Sequence, residues 1–131
     1  MSALGDKVQT ADWKTEKHVP VIDCPDKVKA GEAFEVAVSV GKAVAHPNTT
    51  EHHIRWITLY FLPEGEKFTY QVAGIAFDAH GESAKGANQG PVYTHPAASV
   101  PMKTAKSGTL YAVSLCNIHG LWESSKDIKV G

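Results

Sequence analysis

In residues 33–40, AFEVAVSV, the apolar side chains of Phe34, Val36, Val38 and Val40 alternate with Glu35 and Ser39. A period of two places successive side chains on opposite sides of an extended chain, so this stretch buries one face and needs neighbouring strands to do so. Residues 53–61 (HIRWITLYF), 68–77 (FTYQVAGIAF), 109–116 (TLYAVSLC) and 128–130 carry the same β-branched and aromatic character. Between them lie PDKVKAGE, LPEGEK, HGESAKGANQGP and AKSGT, whose Gly, Pro, Asp and Ser residues favour turns. A first strand is expected over 19–22, at a sheet edge because Pro20 has no amide hydrogen for a central ladder. The pattern predicts an all-β chain, an antiparallel immunoglobulin-like sandwich in preference to a small barrel. Residues 81–91 are expected to be the most mobile.

With 131 residues, 43% of them hydrophobic and 21% charged, the chain fits one domain with a sizeable core. A formal charge of −1 and the lack of a Lys/Arg run argue against a nucleic-acid partner. No apolar stretch has the length of a signal-peptide core or a membrane helix, so a soluble, cytoplasmic protein without a membrane partner is expected. In that reducing setting Cys24 and Cys116 are expected to remain unpaired.

Seven histidines fall unevenly. TEKHVP holds His18, HPNTTEHHIRW holds His46, His52 and His53, and CNIHG holds Cys116 and His119. Each group lies where an expected strand meets a loop, the position from which a sandwich gathers side chains at one end. Cys116 and His119, three positions apart, can reach one ion from a tight loop, with imidazoles arriving from the other two segments. The alternating pleat allows only one of His52 and His53 to face such an ion. Four imidazoles and one thiolate exceed a closed tetrahedral zinc site and the His₂Cys set of blue copper, and suit iron better. His80 and His95 are left as surface residues.

In EKHVP (16–20), HPNTTEHHIRWI (46–57) and CNIHGLWE (116–123), the chain resembles superoxide reductases of the neelaredoxin type, the one-iron relatives of desulfoferrodoxin. The resemblance implies a seven-stranded immunoglobulin-like sandwich. It also implies one mononuclear iron, Fe(2+)/Fe(3+), with His18, His46, His52 and His119 equatorial and Cys116 axial. His53 is then no ligand, Glu16 takes the sixth position of the oxidised iron, and Lys17 lies near the open site. The implied activity is that of an oxidoreductase, one-electron reduction of superoxide to hydrogen peroxide without oxygen evolution, a detoxifying step. Lys17 would steer the anion, and backbone amides of Asn117, Ile118 or His119 would tune the sulfur. With Cys24 the only further cysteine, no four-cysteine rubredoxin-like domain is expected, so electrons would come from a separate rubredoxin-like donor. A homotetramer is implied, with Leu4, Val8 and Trp13 of the N-terminal arm available for contacts. Cys24 matches no ligand and reads as a structural or surface thiol.

Three other readings follow from the residues alone. A cupredoxin-like electron carrier would place a methionine shortly after His119, and none follows it. A zinc site would be colourless because Zn²⁺ is d¹⁰. A sandwich binding module with incidental histidines would hold no metal.

Overall fold

The computed structural model describes residues 2–131. After a 3₁₀ turn at Leu4–Lys7 come eight strands: β1 (Pro20–Asp23), β2 (Lys27–Val28), β3 (Phe34–Val40), β4 (Ile54–Pro63), β5 (Tyr70–Ala76), β6 (Ala97–Met102), β7 (Gly108–Cys116) and β8 (Gly120–Val130). They form two sheets, a three-stranded one in the order β1-β3-β6 and a five-stranded one in the order β2-β8-β7-β4-β5. All pairings between these strands are antiparallel except β2 with β8. Among the described residues no helix is long and apolar enough to cross a membrane.

The core forms where the alternating faces meet. β3 contributes Val36, Val38 and Val40, β4 contributes Ile54, Ile57, Leu59 and Phe61, and β7 contributes Leu110, Ala112 and Cys116. Between the inward residues of β7 sits Ser114, also fully buried, whose hydroxyl donates to the His18 carbonyl at 3.1 Å. That bond satisfies the buried hydroxyl and fastens the chain entering β1 onto the five-stranded sheet. Pro20 lies in β1, at the edge of its sheet, where a missing amide hydrogen costs least.

Periodicity alone misses two strands and shortens a third. β6 (AASVPM) carries Pro101, which an edge position tolerates. The two-residue β2 is too short to show any period. β8 starts at Gly120, eight residues before the expected 128, because ESSK lacks the alternation of a strand with one apolar face. Its paired β7 nevertheless holds it in register from Cys116↔Gly120 to Gly108↔Ile128.

Candidate metal centre

Three connections deliver the chemistry-bearing side chains to one end of the two sheets. The tight link from β7 to β8 consists of Asn117, Ile118 and His119, closed by Gly120 at φ +78°. A three-residue hairpin link normally ends in the left-handed region, which glycine adopts at no steric cost. The turn folds His119 back over Cys116, and the His119 amide donates to Sγ at 3.4 Å. After β3 the chain reverses at Gly41, at φ +90°, where a Cβ would stand 2.9 Å from the His46 amide nitrogen. Only glycine lets this loop fold tightly enough to bring His46 back to the sheet end. His52 and His53 precede β4, whose register against β7 shifts between Ile54 and Trp56. An irregularity of this kind re-aims side chains next to a site.

The rings of His18, His46, His52 and His119 form a compact group. Centroid separations are 4.9 Å for His18–His46, 4.8 Å for His46–His52, 5.0 Å for His52–His119 and 4.8 Å for His18–His119. One ligating atom from each of His18, His52, Cys116 and His119 lies within 4.8 Å of all the others. His18 Nε2 stands 3.2 Å from His119 Nδ1, which is itself 3.7 Å from Cys116 Sγ. Two donors bound at right angles to one ion about 2.1 Å away would lie about 3 Å apart, so this spacing suits a shared cation.

The outer ring nitrogens of His18 and His46 are anchored, which leaves their inner ones to converge. His18 Nδ1 and the His18 backbone amide both lie against Glu16 Oε1, at 2.7 and 2.6 Å. His46 Nδ1 donates to the Pro47 carbonyl at 2.6 Å. The Nε2 atoms of His46 and His52 are buried with no hydrogen-bond partner. Buried polar atoms are rarely left so, and unpartnered nitrogens beside a buried cysteine fit a cation. The residues present therefore suit a metal ion, and the mixture of imidazoles and thiolate suits iron, zinc or copper.

Electrostatics keep the donors ready. Burial pushes the His46 pKa down to about 4, with the nearby His18, His52 and Lys17 charges assisting and its bond to Pro47 opposing. Burial also lowers the His52 pKa, aided by His119, His18, Lys17 and His53. His46 is thus neutral at pH 7, the form that offers a lone pair. Burial works to raise the Glu16 pKa, but the His18 hydrogen bonds and the His18 and Lys17 charges outweigh it, leaving the carboxyl below its ordinary value. Lys17 is half-buried, and its charge reaches both His46 and His52.

Not every expected residue stands among the converging nitrogens. Glu16 sits behind His18, on the ring nitrogen facing away from His119. His53 turns from the cluster to stack on His80, with centroids 3.4 Å apart and planes 8° from parallel. His80 is no surface residue: it is 4% exposed, because the chain after β5 folds under the His53 ring. His95 is exposed. Cys24 is a free, half-buried thiol packed against the core, and burial raises its pKa. Of the three amides considered for the sulfur, that of His119 donates to it, whereas the Asn117 amide goes to the His53 carbonyl at 3.2 Å.

Trp122 is the contributor that spacing did not single out. Its ring stacks on His18 with centroids 4.8 Å apart, and its indole N–H donates to the His119 carbonyl at 3.2 Å. The GLW segment gave a signal only in retrospect: residue 122 pairs with Ser114 across β7, which places it at the same sheet end.

A family model described as desulfoferrodoxin matches residues 10–125. A neelaredoxin from Megalodesulfovibrio gigas is 62% identical over 123 residues, 94% of this chain and 95% of the relative. A superoxide reductase from Pyrococcus furiosus is 57% identical over 121 residues, 92% and 95% of the two chains. The solved structure of a superoxide reductase (neelaredoxin) from Archaeoglobus fulgidus in its reduced form superposes with a TM-score of 0.87 at 54% identity, covering 94% of this chain and 98% of that one. With the family model spanning most of the chain and these relatives aligned along nearly their full lengths, the chain belongs to the desulfoferrodoxin family.

Proposed function

We propose that the protein is a superoxide reductase whose iron is held by His18, His46, His52, His119 and Cys116. The observation that carries this reading is the convergence of four imidazoles and a buried thiol at one sheet end, with the His46 and His52 Nε2 atoms left unpartnered. The high identity to named superoxide reductases supports the same activity. The absence of a methionine after His119 disfavours the copper electron carrier. The fold is proposed to be the immunoglobulin-like sandwich, with its seven strands longer than two residues arranged as three and four. One iron per chain and a single iron-binding unit over residues 1–131 belong to the same reading. A separate rubredoxin-like donor and a homotetramer rest on the family resemblance, with Leu4, 69% exposed, available on the arm.

The chemistry that iron supplies when bound is a single electron, which with two protons converts superoxide to hydrogen peroxide, and a thiolate ligand favours it by donating electron density. The remaining duties fall to the chain. Cys116 is 1% exposed, so water is kept from its sulfur, and the His119 amide disperses the thiolate charge. Glu16 holds the Nδ1 proton of His18 and so fixes the tautomer that leaves Nε2 free to bind. Its second proposed duty, that it would also ligate the oxidised iron, comes from the resemblance. Lys17 provides positive charge at the approach of an anionic substrate. Trp122 holds the His18 plane by stacking.

Lys17→Ala is expected to slow the second-order reaction with superoxide roughly 10-fold and flatten its ionic-strength dependence. Stopped-flow mixing at several salt concentrations reads both, and an unchanged rate removes the steering role. Glu16→Ala should leave that first step within a few-fold and remove the carboxylate-bound form of the oxidised spectrum. Persistence of that form under visible and EPR spectroscopy would sink its assignment to Glu16. The function itself is tested by metal analysis and by product counting on iron-loaded protein with an excess of reductant. One peroxide per superoxide with no oxygen evolved is expected. Half a peroxide with oxygen means dismutation, and colourless zinc protein means another function.

A further inference from the structure

The side chain of Asn117 lies between two of the segments that build the site. Its Oδ1 accepts from the His53 backbone amide at 2.9 Å, and its Nδ2 donates to the Glu51 carbonyl at 2.8 Å. The amide orientation is fixed, because a backbone N–H only donates and a carbonyl only accepts. The Asn117 backbone amide adds a third bond to the His53 carbonyl. Asn117 thus grips both peptides flanking His52 from a position adjacent to Cys116. The same segment is fastened on its far side: Thr50 N–H donates to Asn88 Oδ1 at 2.8 Å, Thr50 Oγ1 donates to the His80 carbonyl at 2.6 Å, and Asn88 Nδ2 reaches both Glu51 carboxylate oxygens. The His52 side chain has no such support of its own, since its Nε2 is buried and unpartnered. Its placement therefore depends on its backbone.

We propose that Asn117 is a positioning residue that sets His52 against Cys116, so that its side-chain amide determines whether the imidazole and the thiolate meet one ion. The inference rests on the metal-centre reading of these residues. A half-buried side-chain amide that donates to one backbone segment and accepts from another transmits a shift of either to the other, and outer partners of this kind alter metal affinity by about 10- to 100-fold when removed. Without the latch, the segment 49–53 keeps its bonds to Asn88 and His80 and the backbone bond from Asn117 to the His53 carbonyl, but loses the two side-chain bonds that fix the peptides on either side of His52 against the Cys116 turn.

The test is Co²⁺ binding by metal-free protein, read by the thiolate-to-cobalt absorption and the ligand-field bands. Full-length wild type, Asn117→Ala, His52→Ala and the double variant are compared, with Asn117→Asp as a near-isosteric alternative that keeps the acceptor and loses the donor. The expected result is an affinity about 10-fold or more lower for Asn117→Ala with altered ligand-field bands, a smaller loss of the same sign for Asn117→Asp, and little further loss when Asn117→Ala is added to His52→Ala. Equal losses in both backgrounds would show general destabilisation and overturn the proposal, as would wild-type affinity and bands in Asn117→Asp. Failure of wild type to bind Co²⁺ through sulfur overturns the metal-centre reading itself, which a failure confined to the Asn117 comparison leaves intact.

Discussion

Cys116→Ser is expected to remove the visible absorption of the oxidised, iron-loaded protein and to lower its rate with superoxide by more than about 100-fold, beyond the usual loss of an outer partner. The two side chains are nearly isosteric, so the 1%-exposed site at the end of β7 is not emptied. The chemistry changes completely: a serine hydroxyl stays protonated at neutral pH and lacks the polarizable sulfur from which a charge-transfer band arises. The His119 amide that donates to Sγ would face a neutral oxygen, and the electron donation a thiolate would give a bound iron would be lost. Visible absorption and superoxide kinetics on the same sample check both effects. A retained band would remove Cys116 from the site and with it the proposed mechanism.

The second large effect concerns the core. Leu59→Ala should lower stability by about 3 kcal/mol, within the range for deleting a buried leucine, and lower the midpoint of thermal unfolding by roughly 10 °C. Leu59 is 0% exposed and packs in the cluster with Ile57, Val36 and Leu110 between the sheets. Its distance in sequence from His52 and its place in mid-β4 separate it from the histidine cluster, so Co²⁺ affinity measured well below the transition should be unchanged. Denaturant unfolding of the metal-free protein reads the loss, and a change below about 1 kcal/mol would mean that the core closes over the space.

These outcomes bear on what the sequence makes legible. The alternation in 33–40, 53–61 and 109–116 corresponds to β3, β4 and β7, the strands that supply most of the core. β6 and the first half of β8 do not announce themselves, because Pro101 and the run Glu123–Lys126 lack the apolar period that burial on one face produces. At the site, motifs reveal which segments carry donors but not how loops fold over them. His80 illustrates the difference: nothing local marks it as buried, and its stacking on His53 arises only when the chain after β5 returns beside the start of β4. Asn117 is equally silent, since both partners of its side-chain amide lie more than sixty positions away.

The pairing of His18 with His119 joins positions 101 residues apart, and His18 is in turn held by the Ser114 hydroxyl through its carbonyl. An ion held by both residues would act as a reversible cross-link around most of the chain and, because it binds the folded site alone, would add its binding energy to the stability of the folded state. Loop-closure entropy makes such a contact costly to form early. The site is therefore expected to assemble late in folding, after β7 and β8, which flank the Cys116–His119 turn, have paired.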